Sequence, residues 1–286
     1  MLVVGVDIGG TGIKSALVKV ENASDIRSYE VVDTFWVATQ GDKGREVILS
    51  NVEKAIRKFY SAEIYGVYVS SAGTIDWNTG VVTYATDALM GFTGLEISKE
   101  LTKRIGSRVI VINDAVAALI GEAYFSNLKG KVMMLTLGTG LGSSVLVNDK
   151  LDETSVIDVR LGHYTLHENG RKCFCGKNGC VECYVSANGL KKSVNNDDLT
   201  FVMENKAKYE KEIAEFILDF EKVINEAKKL YSPDVIVVGG GLVELKQYWL
   251  KDLTDKVDNV VPATLRNKAG FFGAIYAGLN GKFTNQ

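Results

Sequence analysis

Residues 2–20 read LVVGVDIGGTGIKSALVKV: an apolar run, a turn rich in glycine and threonine, and a second apolar run. The same order returns at residues 131–151, in KVMMLTLGTGLGSSVLVNDKL. Apolar, β-branched runs that flank a glycine-rich turn predict two strands joined by a tight connection. The repetition therefore predicts two related α/β lobes, each opening on a hairpin whose turn is large enough to hold a phosphate group.

Strand-like and helix-like runs alternate through the rest of the chain. Apolar residues recur at helical spacing over 47–59 and 95–105, whereas YGVYVSSAG (65–73) and RVIVI (108–112) have the composition of buried strands. An apolar stripe over 213–230 predicts a long amphipathic helix. We therefore expect an α/β chain with no linker between its parts.

The lobe boundary is expected near residues 115–130. The smaller N-terminal lobe is predicted to comprise 1–117 and about 271–286, and the larger C-terminal lobe 118–270. At 286 residues the chain is long enough for two ordinary domains.

Composition limits the classes of function. The net charge is −2 and no basic block is present, so the sequence carries no electrostatic footprint for nucleic acid. No apolar run approaches the roughly 20 residues that span a bilayer, and the N-terminus lacks the features of a signal peptide. We expect a cytoplasmic protein that binds neither nucleic acid nor membrane, in which clustered cysteines indicate metal rather than disulfides.

Three glycine-rich turns are candidates for phosphate or nucleotide binding, because glycine lets backbone N–H groups approach an anion. Neither of the first two is a Walker A loop or a Rossmann turn, since each leads into a strand. DIGGTGIK (7–14) presents Asp7, Gly9, Gly10, Thr11 and Lys14; LGTGLGS (137–143) presents Gly138, Thr139 and Gly140; and the run at 239–241 presents Gly240 and Gly241.

Any one of these turns could be an ordinary hairpin, but three turns after three apolar strands favour a nucleotide site. Phosphate repels the carboxylate of Asp7 unless a cation lies between them. Asp7 therefore implies Mg²⁺, held through water.

All four cysteines and both histidines lie within residues 160–183. Three of them, Cys173, Cys175 and Cys180, have the spacing C-x-C-x₄-C, and a histidine would complete a closed tetrahedral zinc shell. His163 and His167 are both near enough to supply it. The alternative is a group of free thiols.

Asn113 and Asp114 fall at a predicted junction between a strand and a helix, where α/β proteins bind ligands. On spacing alone, Asp114 could be a helix N-cap as readily as a catalytic group.

Six motifs in fixed order resemble the ROK family of sugar kinases and related repressors, within the actin-like ATPase superfamily. The resemblance covers nearly the whole chain and implies an α/β, two-lobed actin-like ATPase (ribonuclease H-like) fold with duplicated mixed-sheet lobes. The motifs are DIGGTGIK (7–14), SAGTID (71–76), NDAVAALIGE (113–122), LGTGLGSS (137–144), GH (162–163) and CFCGKNGCVE (173–182).

The resemblance also implies chemistry. It predicts ATP-dependent phosphorylation of a hexose or N-acetylhexosamine, in which Asp114 takes the proton of the attacking hydroxyl. Asn113 would hold a neighbouring hydroxyl, and Gly73 would let the backbone close on the ring.

For the cysteine segment the resemblance selects His163 as the fourth ligand of a structural Zn²⁺. It leaves His167 either at the surface or beside the ligands, and Cys183 as a packing residue. In this family the motif histidine and the glutamate that matches Glu182 also touch the sugar. The predicted zinc ligands are His163, Cys173, Cys175 and Cys180.

Two departures from the family pattern concern the substrate. Arg160 stands where the family has a glutamate, so it faces either an anionic or N-acylated substituent or the solvent. In TDALMGFTG (86–94), Ala88 stands roughly at the family's asparagine and Phe92 at its aromatic residue.

The first hypothesis is thus a kinase that uses ATP, Mg²⁺ and a structural Zn²⁺, acts on a small sugar and forms a homodimer. A regulator is disfavoured, because only six residues precede Asp7 where such proteins carry a DNA-binding domain. The alternative is a non-catalytic or weakly active sugar sensor.

Overall fold

The computed structural model of the chain describes residues 1–76, 79–147 and 156–281. These residues form two compact units. The first contains 1–76, 79–128, 156 and 267–281, and the second contains 129–147 and 157–266. The predicted limits at 117 and 270 fall inside two helices, 114–125 and 269–280, that both belong to the first unit. As limits of lobes they stay a prediction. The end of the second predicted hairpin, 148–151, lies outside the described residues.

The described residues form strands and α-helices in alternation. The strands are β1 (Leu2–Ile8), β2 (Gly12–Val20), β3 (Tyr29–Ala38), β4 (Ile64–Ser71), β5 (Thr74–Ile75), β6 (Val82–Tyr84), β7 (Val109–Asn113), β8 (Val132–Leu137), β9 (Leu141–Leu146), β10 (Val156–Asp158), β11 (Val235–Gly239) and β12 (Val260–Pro262). The helices are α1 (Arg45–Arg57), α2 (Ile97–Ile105), α3 (Asp114–Phe125), α4 (Ala187–Val194), α5 (Leu199–Glu204), α6 (Glu210–Tyr231), α7 (Leu250–Thr254) and α8 (Ala269–Asn280).

The first unit is built on a mixed sheet in the order β3-β2-β1-β4-β7. β1 and β2 form the predicted antiparallel hairpin, and β1, β4 and β7 run parallel. Val4, Val6 and Ile8 point from β1 into a core that α1 and α2 complete. Alternate residues of the same strand point the other way, where Phe271 and Ile275 of α8 pack on Gly5.

The second unit repeats this arrangement, with a sheet in the order β10-β9-β8-β11-β12. β8 and β9 again form an antiparallel hairpin, and β11 and β12 again run parallel to β8. α6 covers this sheet with the apolar stripe predicted over 213–230, which packs on the buried Trp249. The prediction of duplicated mixed sheets is confirmed.

Helices α3 and α8 cross at unusually short range within the first unit. A methyl group on Gly121 would lie 2.6 Å from the carbonyl oxygen of Ala269, and one on Gly273 would overlap the carbonyl oxygen of Ala117. Only glycine at both crossing points permits this contact. The crossing fixes α3, whose first residue is Asp114, relative to the helix that packs on β1.

No helix within the described residues has both the length and the apolar character needed to cross a membrane.

Candidate functional site

The first predicted phosphate turn joins β1 to β2 and is closed by its own backbone. The N–H of Gly9 donates to the carbonyl of Gly12 at 3.0 Å. Thr39, just beyond β3, fixes the turn from outside, because its hydroxyl donates to the Gly9 carbonyl at 2.6 Å and its N–H donates to the Thr11 carbonyl at 3.1 Å. Gly10 and Thr11 are exposed at the tip. The turn is therefore held rigidly while its tip faces outward.

Asp7 lies at the base of this turn; the residue is half-buried and its carboxyl group is enclosed by protein. Its Oδ1 accepts a hydrogen bond from the Ser70 hydroxyl at 2.5 Å, and Gly270 of α8 packs on both groups. Burial raises the pKa of the Asp7 carboxyl, although the Ser70 hydrogen bond and the charge of Lys14 act in the opposite direction. A buried carboxylate with one neutral donor is a group that a cation would stabilise.

The predicted acceptor residues lie at the carboxyl end of β7. Asn113, rather than Asp114, is the N-cap of α3: its Oδ1 accepts from the N–H of Val116 at 3.0 Å. Its Nδ2 donates to the Gly73 carbonyl at 2.7 Å and to Asp114 Oδ1 at 3.0 Å. The amide of Asn113 therefore joins Gly73 and Asp114, which the sequence predicted as sugar contacts. Its own contact with a sugar stays a prediction.

Gly73 needs to be glycine. Its φ of +97° lies in the left-handed region, and a methyl group there would come within 2.9 Å of the Tyr84 carbonyl oxygen.

The segment 87–92 lies against the first phosphate turn. A methyl group on Gly10 would come within 2.9 Å of Ala88 Cβ, and the guanidinium of Arg45 donates to the carbonyl of Gly91. Phe92 is fully buried in the core of the unit. Ala88 and Phe92 mark the departures of this segment from the family pattern. Ala88 lies next to the phosphate turn, whereas Phe92 lies in the core.

The second predicted phosphate turn joins β8 to β9 in the second unit. Gly138 N–H donates to the carbonyl of Gly140 at 3.1 Å, and Thr139 is exposed. Gly240 follows the neighbouring strand β11 with φ +87°, and a methyl group on it would come within 2.5 Å of the Leu137 carbonyl. A methyl group on Gly241 would meet no atom within 4 Å. The structure thus brings the second and third glycine turns together at one sheet edge.

The predicted zinc residues converge in the same unit. The ligand atoms of His163, Cys173, Cys175 and Cys180 all lie within 4.8 Å of one another. The sulfurs of Cys175 and Cys180 are 3.6 Å apart, and His163 Nδ1 is 3.8 Å from the sulfur of Cys173. Zinc–sulfur bonds of about 2.3 Å in a tetrahedron place two sulfurs about 3.8 Å apart. The four residues fit a Cys₃His zinc site.

Local backbone geometry makes this convergence possible. Gly176 and Gly179 both adopt positive φ, and the Cys173 N–H donates to the Lys177 carbonyl at 2.8 Å, which closes the loop on itself. Burial raises the pKa of the Cys173 and Cys180 thiols in the metal-free chain. A bound cation is therefore needed to keep them as thiolates.

Glu182 connects the cysteine cluster to the second phosphate turn. Its Oε1 lies 3.1 Å from the Cys173 sulfur and 3.4 Å from His163 Nδ1. Its Oε2 faces Gly140, where an added methyl group would come within 2.6 Å. One carboxylate therefore spans the two features that the sequence treated separately.

His167 is not part of the cysteine cluster. Its Nε2 lies 2.8 Å from Asp219 Oδ2 on α6, and Asp219 also accepts from Lys222 at 3.0 Å. Cys183 is partly exposed and likewise lies outside the cluster. Arg160 is exposed, with a left-handed backbone at φ +47°, at the start of the turn that carries His163. Its contact with a substrate stays a prediction.

Sequence reasoning missed Arg171, which braces the cysteine loop. Its guanidinium donates to the carbonyls of Cys183 and Gly189 and to the Ser193 hydroxyl, and it lies 4.6 Å from the centre of the Tyr184 ring. The signal available in the sequence was only a basic residue beside the cysteines.

Comparison with known proteins decides the family. The family model described as "ROK family" matches residues 3–278, nearly the whole chain. The chain belongs to the ROK family.

Individual relatives agree with this assignment. A glucokinase of Thermotoga maritima is 25% identical over 296 residues, covering 91% of this chain and 88% of that protein. An N-acetylmannosamine kinase of Vibrio cholerae is 28% identical over 257 residues, and the match covers 85% of this chain and 84% of that protein. The crystal structure of a ROK family glucokinase from Streptomyces griseus, in complex with glucose and AMPPNP, superimposes with a TM-score of 0.79 at 24% identity and covers 96% of this chain and 98% of its own. The predicted actin-like ATPase fold is confirmed.

Metal analysis of purified, reduced protein tests the zinc site. We expect one zinc per chain by mass spectrometry of the metal, and none after Cys175→Ser, because three ligands no longer close the tetrahedral shell. Cys183→Ser is the matched control, since its thiol lies outside the quartet, and it should retain the metal. A zinc-free wild type, or equal zinc in both variants, would refute the ligand assignment.

The buried charge of Asp7 predicts a gain in stability when it is removed. A carboxyl whose pKa is raised by folding binds its proton more tightly in the folded state, so stability falls as pH rises above the unfolded value of 3.8. In the absence of nucleotide, Asp7→Asn should raise the midpoint of thermal unfolding at pH 7. The gain should vanish below pH 3.8, where the carboxyl is protonated in both states. A lower midpoint at pH 7 would show that the charge is stabilising.

Proposed function

We propose that this protein is an ATP-dependent sugar kinase that phosphorylates a hydroxyl group of a hexose or an N-acetylhexosamine. Relatives across most of the chain are named glucokinase and N-acetylmannosamine kinase. A structural neighbour holds glucose together with the ATP analogue AMPPNP. These names support the activity, and the geometry of the first unit supports the reaction.

One observation carries the proposal: the phosphate turn and the candidate base follow strands whose ends are in register. Ile8 of β1 pairs with Ser71 of β4, and Ser71 pairs with Asn113 of β7. Two strand spacings separate the turn after Ile8 from Asp114, a distance of about 10 Å. That span accommodates a terminal phosphoryl group and the sugar hydroxyl that attacks it.

Asp114 is the proposed general base. Its Oδ1 accepts hydrogen bonds from the Asn113 amide and from the N–H of Ala115, and both donors hold the carboxylate in place. The carboxylate takes the proton of the sugar hydroxyl while the hydroxyl oxygen bonds to the γ-phosphorus. The bond from that phosphorus to the bridging oxygen breaks, and ADP leaves. Catalysis of this kind depends mainly on positioning and charge stabilisation.

The first turn supplies the phosphate side of the reaction. The N–H groups at its exposed tip and the ammonium of Lys14 would bind phosphate oxygens. Bound Mg²⁺ would neutralise charge on the β- and γ-phosphates, and Asp7 would hold it through water. Ala88 packs against Gly10, so the segment 87–92 would lie beside the same phosphates.

In the second unit we assign the nucleotide to Gly138, Thr139, Gly140, Gly240 and Gly241. Glu182 and His163 would contact the sugar, and a structural Zn²⁺ would hold both side chains in place. Because Glu182 also lies beside Gly140, loss of zinc is expected to disturb sugar and nucleotide contacts together.

Substrate choice depends on the departures from the family pattern. Arg160 in place of a carboxylate would suit an anionic or N-acylated sugar, and Ala88 removes a polar contact. A sugar sensor without efficient turnover would also lack these two contacts, the carboxylate at position 160 and the polar side chain at position 88. Homodimerisation and a cytoplasmic location stay predictions.

Release of ADP over a panel of sugars separates the two functions. We expect turnover with at least one of glucose, mannose, N-acetylglucosamine and N-acetylmannosamine in the presence of Mg·ATP. Absence of ADP above background with every sugar, together with sugar binding by calorimetry, would favour the sensor.

The accepted substrate then tests the base. Asp114→Asn should lower kcat by about 10²–10⁴-fold and leave the Kd for the sugar within a few-fold, because the amide keeps the shape of the side chain but takes no proton. Asp198→Asn is the control: Asp198 also lies at the start of a helix, as the N-cap of α5, with its carboxylate accepting from the N–H of Phe201, and the change should leave kcat unaltered. Near-normal turnover of Asp114→Asn would remove Asp114 from the mechanism.

A further inference from the structure

A row of paired residues crosses four strands of the first sheet and ends on an exposed tryptophan. Asp7 of β1 pairs with Ser70 of β4 on one side and with Lys14 of β2 on the other, and Lys14 pairs with Trp36 of β3. Directly paired residues point to the same face of a sheet. Trp36 therefore shares its face with Asp7 and Lys14, two of the residues assigned to the phosphate side.

The indole of Trp36 lies on the phosphate turn itself. A methyl group on Gly12 would overlap Trp36 Nε1 and come within 2.8 Å of Cε2. Gly12 is the residue whose carbonyl closes the turn by accepting from Gly9. The N–H edge of the indole is thus placed at the turn, three residues before Thr39, which fixes the turn from the same end of β3.

This tryptophan is exposed on β3, which is an edge strand of the sheet. Its side chain is 56% exposed, and within residues 1–76, 79–147 and 156–281 no hydrogen bond is made by its indole N–H. Trp249 shows the usual alternative: it is 1% exposed and its N–H donates to the carbonyl of Leu242 at 3.1 Å. Trp36 presents both an apolar face and an unused donor beside the turn amides and the cation of Lys14.

We propose that Trp36 is a nucleotide-contacting residue, whose indole N–H donates to a phosphate oxygen of the nucleotide bound on the turn formed by residues 9–12. The inference rests on the proposed kinase function, because that function places phosphate on the turn. The row then supplies, in order, a cation-binding carboxylate, an ammonium group and an indole N–H donor. The ring covers Gly12 and limits the access of water to that side of the turn.

The variant Trp36→Phe separates this contact from simple packing. Phenylalanine keeps an aromatic ring on Gly12 and removes the donor. A hydrogen bond to a charged oxygen contributes to binding affinity, so its loss should raise the KM for Mg·ATP about tenfold. The KM for the sugar and the midpoint of thermal unfolding should stay unchanged. Trp36→His, which retains a ring N–H, should recover part of the affinity.

Tyr65→Phe is the matched control. Tyr65 is 67% exposed on β4 and lies at the opposite end of the same sheet, beside Ile64, which pairs with Leu2. It also loses one polar group from an exposed aromatic ring, and should leave every kinetic constant unchanged.

Tryptophan fluorescence gives a second readout that does not require turnover. Titration of the wild type with Mg·ATP in the absence of sugar should change the emission, and this change should be lost in Trp36→Phe while the emission of Trp77 and Trp249, the other two tryptophans of the chain, remains. An unchanged KM and Kd for Mg·ATP in Trp36→Phe would overturn the proposal and leave Trp36 as a brace for Gly12. A wild type that binds Mg·ATP but phosphorylates no sugar would refute the kinase function alone, since the Kd of the variant still tests the contact.

Discussion

The close crossing of α3 and α8 is the constraint on which the rest of the first unit depends. Gly121 and Gly273 let the two backbones approach to a distance that any side chain would prevent. The crossing joins the helix that begins at Asp114 to the helix whose Gly270 packs on Asp7 and Ser70. Because interiors are closely packed, fixing one helix fixes the other. The candidate base and the candidate cation ligand thus share one rigid support.

Each unit holds side chains that are costly to ionise at the place where its proposed chemistry needs them. Asp7 is a buried carboxylate with a raised pKa, and Cys173 and Cys180 are buried thiols that ionise with difficulty. The raised pKa of Asp7 lowers stability at neutral pH in the absence of a cation, whereas the neutral thiols do not, and binding of a cation to the folded state would stabilise the fold at either place. Glu182 extends this coupling, because the same carboxylate lies beside the cysteine cluster and beside Gly140.

Much of the fold followed from the sequence, because repeated hairpins and apolar periodicities are local signals. The β1–β2 and β8–β9 hairpins, the stripe of α6 and the cysteine cluster with its positive-φ glycines are of this kind. What sequence reasoning did not predict are contacts between distant segments: Asn113 joining Gly73 to Asp114, Ala88 against Gly10, and Trp36 on Gly12. These arise from strand register and side-chain packing, which no single window of sequence specifies. The spacing of Asp114 fits either a helix cap or a base, and only the three-dimensional structure assigns the N-cap position to Asn113.

The most direct test of the central claim is the free energy of unfolding of Gly273→Ala. Because the added methyl group would overlap the Ala117 carbonyl, we expect a loss of about 1–3 kcal/mol in denaturant-induced unfolding. Gly241→Ala, whose methyl group meets no atom within 4 Å, should not lose stability and serves as the control. Equal stability of Gly273→Ala and the wild type would contradict the account, since the two helices would then not depend on their close approach.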